Sequence, residues 1–67
     1  MSKSLAEQYP EEQARCRELL AWYKEIGPAG AFGAAAIEQV LNEAEAAAAR
    51  HDTVAMIRAF KRMQGCE

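Results

Sequence analysis

Apolar residues recur every three or four positions along most of the chain, the period of a helix with one buried face. In the first such stretch Cys16, Leu19, Leu20, Tyr23 and Ile26 share a stripe, with Arg17, Glu18, Lys24 and Glu25 opposite. Pro10 suits a first helical position, and Glu11 and Glu12 then place negative charge beside the free backbone N–H groups. The pattern predicts a helix over 10–26, stopped by Gly27 and Pro28, behind a flexible N-terminal arm of residues 1–9. Within that arm, Ser4-Leu5-Ala6-Glu7 has capping-box spacing and allows a turn of helix.

A second stripe, Gly33, Ile37, Val40, Leu41, Ala44, Ala47 and Ala48, predicts a helix from within 29–33 to about residue 50. Its change from large side chains to alanine lets a neighbour approach closely along the later half, with Met56 or Phe60 as cover. Asp52 is a good N-cap for a third helix over 53–64, closed at Gly65, with Met56, Ile57, Phe60 and Met63 on its apolar strip. The expected fold is all-α: one domain over 10–67, a short up-and-down bundle of three helices in which the second and third form a hairpin.

Between the first two helices stands GPAGAFG, residues 27–33. Glycines before a helix can cradle an anion, but no G-K-[ST] ending follows and no strand precedes. A structural corner explains the residues better. Gly27 caps the first helix, Pro28 stops it, Gly30 allows the return, Gly33 removes bulk at the crossing, and Phe32 tucks between the helices.

Size limits what such a fold can do. At 67 residues a domain buries only about 60% of its unfolded surface, which leaves a thin core and little room for an enclosed site. A second copy or a partner would add burial, so a homodimer is expected. With 51% hydrophobic and 27% charged residues the chain is in the globular range, and no apolar run reaches the roughly 18–20 residues of a membrane span. Net charge is −2 and the isoelectric point about 5.4. The charges are unevenly placed: residues 1–49 hold eight acidic and four basic side chains, whereas 50–67 hold four basic (Arg50, Arg58, Lys61, Arg62) and two acidic.

Chemical constellations are sparse. His51 is the single histidine, and no serine follows Ser4. Neither a nucleophile pair nor a tetrahedral metal set can be assembled from the spacing, so no catalytic residue, metal ligand or cofactor is expected. His51 instead suits a helix C-terminus. If the third helix runs parallel to the first, Cys66 falls about 15 Å from Cys16 at 1.5 Å per residue, beyond disulfide reach. Two free thiols in a reducing cytoplasm are then expected.

Three elements carry a family resemblance: Ala14 to Glu18 (ARCRE), Ile26 to Ala34 (IGPAGAFGA) and Asp52 to Phe60 (DTVAMIRAF). Over residues 11–66 the chain resembles a family of small, uncharacterised α-helical proteins encoded by phages and prophages. That resemblance implies a compact protein at work inside a bacterial cell, acting on a host or phage macromolecule as an inhibitor or accessory factor. It carries over no catalytic residue. Where that family has a glycine ahead of the third helix's cap, this chain has His51, which makes a left-handed backbone there less favourable.

The expected function is non-enzymatic binding of a protein partner, with Tyr9, Trp22, Arg58, Lys61 and Arg62 as contacts. Trp22, at the stripe's edge, either closes the rim of the core or anchors that partner. The alternative is a weak nucleic-acid module on the basic face of the third helix, which the acidic remainder of the chain disfavours.

Overall fold

The computed structural model describes residues 3–67 and contains three α-helices, with no strand among the described residues: α1 (Leu5–Ile26), α2 (Ala31–Ala49) and α3 (Thr53–Gln64). The all-α, three-helix expectation is met. The molecule measures 36 × 27 × 15 Å, and more than half of the described residues are exposed.

Helix α1 starts five residues earlier than predicted. The Ser4 hydroxyl accepts from the Glu7 N–H at 3.3 Å and its carbonyl from Gln8 N–H at 2.9 Å, so the capping spacing marks the true start. Residues 5–9 are thus part of the helix rather than of an arm, while Met1 and Ser2 lie outside the described residues. Pro10 then sits inside the helix and leaves the Ala6 carbonyl without its usual donor. Tyr9 explains why this arrangement is tolerated. Its ring is buried and stacks on Phe60 with centroids 6.5 Å apart, and its hydroxyl donates to the Ala44 carbonyl at 2.7 Å. Truncating a buried aromatic costs about 3–5 kcal/mol, at least as much as the ~3 kcal/mol of a proline in a helix interior. The exposure of Ala6 and Pro10 lets water reach the orphan carbonyl.

The corner forms as the glycines require, with one exception. Gly27 has φ 85° and ψ −145°, a region open essentially to glycine, and its N–H bonds the Lys24 carbonyl at 3.1 Å. Pro28–Gly30 makes one 3-10 turn. A Cβ on Gly30 would lie 2.3 Å from the Tyr23 carbonyl oxygen, and one on Gly33 3.1 Å from the Tyr23 ring. Phe32, expected between the helices, is instead 89% exposed. Gly30, Gly33, Ala34 and Ile37 face α1 at helical spacing, and residue 32 lies about 200° around from residue 30.

The core consists of Tyr9 and Cys16 from α1, Ile37, Leu41 and Ala44 from α2, and Ala59 and Met63 from α3, flanked by Leu19, Leu20, Tyr23, Val40, Met56 and Phe60. Ile26 and Ile57, expected on the apolar stripes, are 44% and 43% exposed. The α2–α3 corner places His51 at φ 54°. His51 N–H bonds Ala48 O at 3.1 Å and Asp52 N–H bonds Ala47 O at 3.2 Å, the paired closure in which glycine usually takes the left-handed place. Asp52 then caps α3, accepting from the Ala55 N–H at 3.1 Å.

The early start of α1 also corrects the cysteine spacing. With Tyr9 set against Phe60, the end of α3 arrives beside the middle of α1. Cys16 Sγ donates to the Met63 carbonyl at 3.6 Å, the same oxygen that accepts from Cys66 N–H at 3.1 Å. Cys66 thus packs against the core at Cys16 rather than about 15 Å away.

Candidate functional site

Small residues bring α2 and α3 together. Ala44 and Ala47 of α2 and Ala59 of α3 are buried, and with so little side chain between them the helices leave a shallow groove along their seam. Ala46, Ala47, Ala55 and Ala59 line it beside Glu43, Arg50, Arg58 and Arg62, around a volume of about 310 Å³. Three guanidinium groups face one carboxylate there, so an acidic protein carries a local positive excess.

Ion pairing sharpens that excess. Lys3 pairs with Glu11 at 2.6 Å, Arg15 with Glu12 at 2.8 Å, Arg17 with Glu45 at 3.5 Å, and Arg62 with Glu43 at one side of the groove. Among the described residues Lys24, Arg50, Arg58 and Lys61 join no such pair, and three of these four belong to the stretch from residue 50 onward. Arg50 also occupies the C-cap of α2, where a cation is favoured by the helix carbonyls.

The sequence-predicted contacts divide. Tyr9 is 3% exposed and bonded to α2, so it belongs to the core and is not open to a partner. Trp22 is 58% exposed, edge-on to Tyr23 with centroids 5.5 Å apart, and lies one turn before the exposed Ile26. Arg58 and Arg62 line the groove, while Lys61 is exposed outside its lining. Arg50, part of the basic stretch but not one of the predicted contacts, also lines the groove. Its signal was the alanine seam, which brings residue 50 at the end of α2 within reach of residues one turn apart on α3.

Inside the protein, reactive groups are few. Among the described residues no charged side chain is buried and no group of three possible metal ligands gathers. Burial pushes the Tyr9 hydroxyl above its usual pKa. It pushes the Cys16 thiol up to about 11, with neighbouring Cys66 adding to the rise and Arg15 opposing it. Both groups are therefore neutral near pH 7. A second groove, of about 380 Å³, runs beside Tyr23, Gly33, Ile37 and Val40 to Arg62 and Cys66.

Compared with protein-family models, curated proteins and solved structures, the chain matches none of them.

Proposed function

We propose that the protein is a non-enzymatic interaction module that binds an acidic segment of a partner protein in the α2–α3 groove. The observation that carries this reading is the groove's makeup: Arg50, Arg58 and Arg62 above an alanine floor, with Glu43 the only carboxylate in its lining. Guanidinium groups match carboxylates in shape and charge, and a small-residue floor accepts apolar side chains between them. Electrostatic complementarity of this kind guides encounter and orientation. The resemblance to small prophage proteins would set this partner inside a bacterial cell. It would also make binding, rather than turnover, the protein's way of acting.

Fluorescence anisotropy with a labelled acidic, leucine-bearing peptide tests the reading. Binding is expected at low ionic strength, weakening with salt and falling at least tenfold in R50E/R58E. A duplex oligonucleotide of matched charge separates the nucleic-acid alternative. Tighter binding of the duplex than of the peptide, lost in the same variant, would replace the protein-partner reading. Peptide binding that is unchanged by R50E/R58E would move the contact elsewhere, with Trp22 and Ile26 next to be substituted. Sedimentation over micromolar concentrations reports separately on the homodimer.

A further inference from the structure

The strongest unassigned feature is the approach of two cysteines far apart in the chain, Cys16 and Cys66, to one backbone carbonyl. Cys16 lies on the inner face of α1 and is fully buried, whereas Cys66 follows α3 and is half-buried. The Met63 carbonyl is common to both, accepting from Cys16 Sγ at 3.6 Å and from Cys66 N–H at 3.1 Å. Arg15 fixes the same segment to α1: its guanidinium donates to the Cys66 carbonyl at 2.9 Å and also to the Met63 carbonyl. Tyr23 donates to the Glu67 carbonyl at 2.6 Å, a third tie one residue further on. A hydrophobic core needs none of these backbone contacts to bury a cysteine. Their effect is to hold the segment that carries Cys66 against α1 and the core cluster that contains Cys16.

We propose that Cys16 and Cys66 form a dithiol that closes to an intramolecular disulfide under oxidation, locking α1 to the segment after α3. Peroxide is the co-reactant. The more accessible Cys66 sulfur attacks one peroxide oxygen, the O–O bond breaks, and Cys66 becomes a sulfenic acid with release of one water. The Cys16 sulfur then attacks the Cys66 sulfur, giving the S–S bond and a second water. Two thiols have lost two electrons and two protons, and one peroxide has been reduced to two waters. A small dithiol reductant reverses the closure by exchange. Burial of Cys16 keeps peroxide from reaching it first, so the order of attack follows from the geometry.

The elevated pKa of Cys16 bears on rate. Its thiolate is the attacking form in the second step, so the raised pKa slows that step near neutral pH. Closure also joins residues 16 and 66 across most of the chain, which restricts the unfolded ensemble and raises the melting temperature.

The test uses the full chain treated with hydrogen peroxide, followed by intact mass, thiol counting and peptide mapping. The expected product is a monomer lighter by two hydrogens, with a Cys16–Cys66 linked peptide. Its melting temperature should rise on the order of 10 °C and return with a dithiol reductant. C66S, which alters the less buried partner, should fold normally and show neither the mass change nor the shift. Substituting Cys16 empties a core position, so C66S is the control that keeps folding and chemistry apart. Disulfide-linked dimers through Cys66, stable overoxidation of Cys66 without closure, or two thiols surviving peroxide in the folded protein would each overturn the proposal.

Discussion

Removing the side chain of Tyr9 asks whether the first turns of α1 are an integral part of the core. Tyr9→Phe deletes only the hydroxyl that reaches the Ala44 carbonyl at 2.7 Å. One buried hydrogen bond is worth about 0.5–1.5 kcal/mol net, and the Phe ring leaves almost no void. Tyr9→Ala also deletes the ring stacked on Phe60 and is expected to cost about 3–5 kcal/mol. A chain of 67 residues has a total stability on the order of 3–10 kcal/mol. The alanine variant should therefore lose a large share of it, or fail to fold at 37 °C. Urea titration followed by circular dichroism gives both values. In thermal melts the Phe variant should unfold roughly 4–8 °C below the parent per kcal/mol lost. The reasoning fails if Tyr9→Ala lies within about 0.5 kcal/mol of the parent, because residues 5–9 would then be a dispensable arm.

The corners and the buried thiol supply further tests. Gly30→Ala forces a Cβ to within 2.3 Å of a backbone oxygen that cannot move alone, whereas Gly33→Ala meets a ring at 3.1 Å that can shift. Chemical denaturation should rank Gly30→Ala as the costlier by at least ~1–2 kcal/mol, since Gly33→Ala also gains helix propensity, and the reverse order would contradict the corner geometry. His51→Gly should stabilise the protein by about 0.5–1 kcal/mol, because His51 holds a left-handed backbone at φ 54° that costs an L-residue about 1–2 kcal/mol; a loss of stability in urea would argue against that conformation. The folded pKa of Cys16, about 11, lies above its reference value of 9.0. The stability linked to it is therefore complete below pH 9 and lost as pH rises toward 11, with a slope of at most ~1.4 kcal/mol per pH unit. Stability measured from pH 8 to 11 should fall less steeply in Cys16→Ala than in the parent, whatever that variant's absolute stability; parallel curves would count against a buried thiol.

Much of the architecture was legible because periodicity reports burial directly. Ile37, Leu41, Ala44 and Ala47 repeat at helical spacing, and all four are buried. Gly27 and Asp52 took the capping roles their chemistry suits. What misled was a local rule met by a tertiary force. Pro10 matches a first helical position so well that, read locally, it outweighs the Ser4 cap six residues upstream. The burial of Tyr9 against Phe60 and Ala44, a contact 35 residues distant on α2, decided the matter, and no local pattern records such a contact. The cysteine spacing followed from that one offset, since the register of α3 against α1 depends on where α1 begins. Phe32 erred differently. Its size suggested burial, but the glycines at 30 and 33 set the inward face and left residue 32 outside.

The candidate site was half legible. The basic bias of residues 50–67 is plain in the sequence, and Arg58 and Arg62 were named from it. That Arg50 joins them, that Lys61 does not, and that Glu43 holds Arg62 all depend on how closely two alanine-rich surfaces approach. Small side chains give periodicity little contrast, so the depth of the seam could be read only from the fold.

Backbone amide shift mapping by NMR during titration with the acidic, leucine-bearing peptide tests the central claim most directly. If the α2–α3 groove is the binding surface, the perturbed amides should cluster at Glu43, Ala46, Arg50, Ala55, Arg58 and Arg62, with α1 from Arg17 to Ile26 unmoved. Perturbations centred on Trp22, Ile26 and Phe32, or none at peptide concentrations that saturate an anisotropy signal, would contradict it.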